Sequence, residues 1–83
     1  MNWNDISAQL LVGRKIVKAE YMSKEEAEDF GWDSRPLCIQ FDNGLWIYPS
    51  RDDEGNDGGA LFTSDGRHPV LPVLSLDFEE NEE

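Results

Sequence analysis

Residues 37–48, Leu37-Cys38-Ile39-Gln40-Phe41-Asp42-Asn43-Gly44-Leu45-Trp46-Ile47-Tyr48, decide the fold. Two apolar runs rich in strand formers flank Asp-Asn-Gly, the residue types a tight reversal needs. The stretch therefore reads as a β-hairpin. Two registers satisfy it. A two-residue turn on Asn43-Gly44 pairs Phe41 with Trp46 and Ile39 with Tyr48. A three-residue loop with Gly44 left-handed pairs Phe41 with Leu45 and Ile39 with Ile47. The choice matters, because a one-residue slip along a strand exchanges its two faces. In the first register the aromatics join the core. In the second, Leu37, Ile39, Phe41, Leu45 and Ile47 form an aliphatic core face, and Trp46 and Tyr48 stand opposite, beside Cys38 and Gln40. Type I geometry suits Asp42 and Asn43 while Gly44 takes the positive φ, which favours the second.

Upstream, residues 15–22 (KIVKAEYM) read as a strand with imperfect alternation. Val17, Ala19 and Tyr21 share one face; Ile16 and Met22 share the other with Lys18 and Glu20. Ser23-Lys24-Glu25-Glu26 matches a capping box, so a short helix should run to about Phe30 and stop at Gly31. Residues 4–12 read as another short helix, capped by Asn4 or Asp5 and stopped by Gly13. Trp3, Ile6 and Leu10 fall on one of its faces. A helix so short needs tertiary support, so that face is expected to dock, with Trp3 as a core anchor.

Downstream, residues 51–59 (RDDEGNDGG) form a loop by composition, residues 60–63 a short strand, and Ser64-Asp65-Gly66 a tight turn. Residues 68–74 are extended, but Pro69 and Pro72 confine them to an edge or to a packed segment outside the ladder. The expected fold class is mainly β with one or two short helices (α+β). Its form is a small antiparallel, partly open barrel of the Src-homology-3-like type, or a meander covered by helices. A single globular domain over residues 1–76 is expected, followed by an acidic disordered tail over residues 77–83.

The chain has 83 residues and a formal charge of −11, from 18 acids against 7 bases. Five of those acids lie in residues 77–83, which leaves 13 acids against 7 bases, or −6, on the body. Such a surface repels nucleic acid and anionic membranes and suits a basic partner. One cysteine, Cys38, allows no intrachain disulfide and fits a reducing compartment. The N-terminus carries no basic and apolar leader, and no run approaches the roughly 20 apolar residues of a membrane span. A cytoplasmic location is expected.

Candidate chemistry is sparse. The loop holding Asp52, Asp53, Glu54 and Asp57 invites a divalent-ion reading. Neither possible EF-hand register works: starting at Asp53 loses positions 3 and 12, and starting at Asp52 puts Asp57 where glycine belongs. Gly55-Asn56-Asp57 is a single copy of a pattern that binds calcium only in tandem. Cys38 has no base near it in sequence, and the single histidine, His68, lies beside a proline. Ser64, Asp65 and His68 read as turn chemistry rather than a triad. The glycine-rich stretch lacks the Lys-Ser/Thr ending of a phosphate loop. These residues imply no enzyme, no metal and no cofactor. Trp46 and Tyr48 are the best binding candidates, since exposed Trp and Tyr concentrate binding energy.

The runs LVGRKIVKAEY and LCIQFDNGLWIYPSRDDEGNDGGALF resemble short bacterial proteins of no assigned function, over roughly residues 10–63. The resemblance implies a stand-alone small protein and no catalytic residues. Three functional readings follow. The first is a non-catalytic protein-binding or accessory domain using Trp46 and Tyr48, or an acidic edge, against a basic or amphipathic protein. The second is a nucleic-acid mimic whose acids in residues 25–33 and 52–57 occupy a DNA- or RNA-binding protein. The third is a weak divalent-ion loop.

Overall fold

The computed structural model describes residues 2–78. Asn2 caps the first helix, α1 (Trp3–Leu11), by accepting the Asp5 N–H on its side chain. The cap thus lies two residues before the expected one. Strand β1 (Ile16–Tyr21) leads to α2 (Lys24–Asp29), whose capping box between Ser23 and Glu26 is formed as the spacing requires. Then come β2 (Ser34–Arg35), β3 (Leu37–Phe41), β4 (Trp46–Ile47), β5 (Leu61–Phe62), β6 (Val70–Leu71) and β7 (Leu74–Ser75). Strands β1, β3 and β4 form one antiparallel sheet in the order β1-β3-β4. Strands β2 and β7 pair separately, as do β5 and β6. Among the described residues the architecture is small, mainly antiparallel β with two helices, and the three sheets do not close into a barrel.

The hairpin takes the three-residue loop. Ile39 pairs with Ile47 and Gln40 with Trp46. The Phe41 N–H donates to Leu45 O at 2.9 Å, the Gly44 N–H returns to Phe41 O at 2.9 Å, and Gly44 has φ +90°. A side chain at that φ would strain the turn, which is why glycine stands there.

The core lies on the other side of the sheet from the one expected. Met22, Ala27, Trp32 and Cys38 form the buried cluster, with Leu76 against it. The helix that covers the hairpin is α2, and it covers the Cys38 face through Ala27, which is 0% exposed. The aliphatic face keeps a buried Phe41, but Leu37, Ile39, Leu45 and Ile47 are only half-buried. The expected docking of α1 does not occur. None of its residues is buried, and Trp3, at 79% exposed, is no core anchor. Trp32, at 5% exposed, holds that position. The reason is long-range: Ala27 of α2 packs with Met22, Trp32 and Cys38, and the Trp32 indole N–H is satisfied by Gly55 O.

The 51–59 loop is folded down on the body. Its end bridges Ser50 to Gly58, and Gly59 N–H donates to Pro49 O at 3.0 Å. Gly58 approaches the fully buried Pro36 so closely that a Cβ there would lie 2.8 Å from Pro36 Cδ. Of the residues assigned to the tail, Asp77 accepts a bond from Lys24 Nζ at 3.3 Å, and Phe78 O accepts from Arg35 Nη1 at 3.2 Å. The rest of that tail lies outside the described residues.

Deleting a buried tryptophan removes both its transfer energy and the packing around the hole it leaves. Trp32→Ala should therefore lower unfolding free energy by about 3–5 kcal/mol. Trp3→Ala should change it by no more than about 0.5 kcal/mol, as for ordinary surface sites. Urea denaturation of the two variants checks the exchange of roles between these tryptophans.

Candidate functional site

The β1-β3-β4 register brings the aromatic candidates together with residues that lie far from them in sequence. Glu20 stands opposite Cys38, and Gln40 opposite Trp46, so these side chains share one face. The helix α2 adds Glu26 above that face, and Phe30 follows at its C-cap. Between them lies a cavity of about 340 Å³. Met22 and Cys38 are its floor, Phe30, Trp46 and Tyr48 its walls, and Glu20 and Glu26 its rim.

Two of the walls brace each other. Phe30 and Tyr48 stack with ring centres 6.3 Å apart and planes at 20°. Trp32 tilts against both, at 5.1 Å from Phe30 and 6.0 Å from Tyr48. Such offset and tilted geometries are the favourable ones for aromatic rings. Trp46 is 39% exposed and Tyr48 42%, so both present ring surface to solvent. The sequence pointed to Trp46 and Tyr48 but missed Phe30, Glu20 and Glu26. The capping box was the available signal: it fixes where α2 begins, and hence which residues hang over the strand before it.

Trp32 is held from outside the sheet. Its indole N–H donates to Gly55 O at 2.6 Å. One carboxylate oxygen of Asp57 accepts the amides of Asp33 and Ser34, both at 3.0 Å, and of Gly58 at 2.8 Å. The Asp52 carboxylate is similarly engaged by the Glu54 N–H, the Asn56 N–H and the Asn56 side-chain amide. The side-chain bond from Asn56, followed by its backbone N–H, holds the Asp52 carboxyl below the usual carboxylate range. Three of the four acids weighed for a divalent ion thus accept hydrogen bonds, Asp57 from residues 33 and 34 as well as from its own loop. Asp57 and Asp52 accept backbone donors, Glu54 accepts from Asn56 Nδ2 at 3.1 Å, and Asp53 is exposed. Among the described residues no group of three or more His, Cys, Asp or Glu is placed to hold a metal ion.

The other chemistry-bearing residues stay apart. Cys38 Sγ donates to Pro36 O at 3.9 Å, while His68 Nδ1 sits 3.1 Å from Asp65 Oδ2 at the surface. The Thr63 hydroxyl closes that turn by donating to His68 O at 2.6 Å. Burial pushes the Cys38 thiol above its ordinary value of 9.0, and the carboxylates of Glu26 and Glu20 push it further in the same direction. The fields of both rim carboxylates therefore converge on the cavity floor. No helix among the described residues is long and apolar enough to cross a membrane.

No protein-family model matches the chain, and no curated protein and no solved structure shows a significant match to it.

Two predictions follow from these contacts. Asp57→Ala strips three amides of a charged acceptor and should cost about 2–3 kcal/mol of stability, whereas Asp53→Ala should stay within about 0.5 kcal/mol; chemical denaturation separates them. The raised Cys38 pKa means that above pH 9.0 the unfolded thiol ionises while the folded one keeps its proton. The folded state then binds more protons, so stability falls as pH rises from the unfolded toward the folded pKa. Relative to wild type, Cys38→Ala should lose this decline, as read from denaturation midpoints between pH 8 and pH 11.

Proposed function

We propose that this chain is a non-catalytic protein-binding domain of the cytoplasm, and that its partner presents a basic or amphipathic segment to the Phe30-Trp46-Tyr48 cavity. The observation that carries this reading is the combination of three aromatic walls with two rim carboxylates, Glu20 and Glu26. An ammonium or guanidinium group is attracted to aromatic faces, most strongly to Trp, at distances within about 6 Å. Carboxylates at the rim add charge-assisted hydrogen bonds to such a cation and repel anions. The net charge of −11 steers the same class of ligand at longer range. The apolar stem of a lysine or arginine matches the Met22-Cys38 floor. A partly open, Src-homology-3-like arrangement of the strands belongs to this proposal, with the cavity on the outer face of the hairpin sheet.

A second reading, mimicry of a nucleic acid, has one observation in its favour. The Asp57 and Trp32 bonds bring the acidic 52–57 loop against residues 32–34, so the exposed carboxylates of Asp33, Asp52, Asp53 and Glu54 lie in neighbouring segments.

Short peptides with one Lys or Arg between apolar residues should quench tryptophan fluorescence saturably, and less so as salt rises. Trp46→Ala should weaken binding by at least about tenfold, and Glu20→Gln with Glu26→Gln by a similar factor, each with the fold intact. Glutamine keeps the Glu26 cap, so the second pair reads charge alone. Equal binding of a Gln-substituted peptide would sink the cavity reading. Binding of a basic protein that ignores Trp46→Ala but is lost on neutralising Asp52, Asp53 and Glu54 would favour mimicry.

A further inference from the structure

Among the described residues β1 is an edge of its sheet, with β3 on one side only. It is exposed from Ile16 to Glu20. An open edge is a template for another strand, so proteins normally cover it or spoil it. This one ends at a bulge, where the pairing shifts between Ile16 and Lys18, which leaves a short regular ladder above it.

The ladder fixes which groups point outward. The Met22 N–H donates to Pro36 O at 2.9 Å, so Met22 turns its backbone toward β3. Above the bulge the register is continuous through Tyr21↔Leu37, Glu20↔Cys38, Ala19↔Ile39 and Lys18↔Gln40. Backbone direction alternates along a strand, so Glu20 and Lys18 also face β3, and Ala19 turns its N–H and C=O to the open side.

We infer that β1 is a homodimer interface, pairing antiparallel with β1 of a second copy about a twofold axis at Ala19. The sequence Lys18-Ala19-Glu20 is complementary in charge to its own reverse. With Ala19 opposite Ala19 of the second copy, Lys18 lies across from Glu20, and Glu20 across from Lys18. Both are non-hydrogen-bonded pairs, the type that brings side chains closest. Opposite charges at such positions stabilise, and like charges destabilise. Other registers lose this. An axis at Lys18 opposes two ammonium groups, and an axis at Glu20 opposes two carboxylates. An axis at Val17 falls in the bulge. An axis midway between residues would set outward-facing groups against inward-facing ones. Ala19 itself has a small side chain where two copies meet. The match is isologous, so it closes at two copies and builds no fibre. This contact does not use the aromatic walls but shares Glu20 with the cavity rim, so its test reads dimerisation and not peptide binding, and Lys18, which is no part of the cavity lining, tells the two apart.

Sedimentation equilibrium on the full chain tests it. Wild type should be a concentration-dependent dimer. Lys18→Glu and Glu20→Lys should each weaken dimerisation at least tenfold, because each turns two attractive pairs into two repulsive ones. An equimolar mixture of these two variants should form heterodimers and recover most of the lost affinity. The double variant carrying both changes should dimerise with itself. Trp46→Ala should leave dimerisation unchanged. A wild-type chain that stays monomeric at millimolar concentration overturns the inference. So does a dimer that either reversal leaves intact, or one that the mixture and the double variant fail to restore.

Discussion

Trp32 is the point through which the fold is tied together, and it stays in place because the 51–59 loop holds it. Its ring packs with Met22, Ala27 and Cys38, and its indole N–H is satisfied by Gly55 O, twenty-three residues away. A buried indole without a partner would cost about 1–3 kcal/mol, so this bond decides whether the ring can be buried at all. Asp57 secures the same junction by accepting the amides of Asp33 and Ser34 on one oxygen. In a chain of 83 residues with no disulfide, a few such ties between distant segments replace the mass of core that a larger domain would have.

The junction also shapes the cavity. Trp32 is the ring against which both Phe30 and Tyr48 lean. Without it, Phe30 would keep only its stack on Tyr48. The proposed binding face is thus an extension of the core outward, with Trp32 inside and Trp46 and Tyr48 at the surface. That continuity explains how a small domain tolerates half-exposed aromatics: each is packed on one side.

Local features were readable from the sequence and long-range ones were not. Gly44 announced the hairpin register because only a residue tolerant of positive φ closes that loop without strain. The Ser23-Glu26 box and Gly31 bounded α2 for similarly local reasons. What could not be read was which helix covers the sheet. Trp3 and Trp32 are equally apolar, and periodicity favoured Trp3, since it falls in register with Ile6 and Leu10. Burial was decided instead by a partner for the indole N–H, supplied by a loop that looked merely acidic. The same loop also held the acids weighed for a divalent ion. Asp52 accepts the loop's own amides, and Asp57 accepts those of Asp33 and Ser34 as well as Gly58. The pairs Ser34↔Ser75 and Arg35↔Leu74 had no signal, being two residues long.

The domain hangs on the loop-to-core junction at Trp32, and hydrogen exchange measures it directly. The Trp32 indole N–H and the amides of Asp33, Ser34 and Gly58 should exchange as slowly as the central amides of β3, opening only with global unfolding. Exchange at these four sites hundreds of times faster than in β3 would mean that the loop opens on its own. The junction could then not be what holds the domain together.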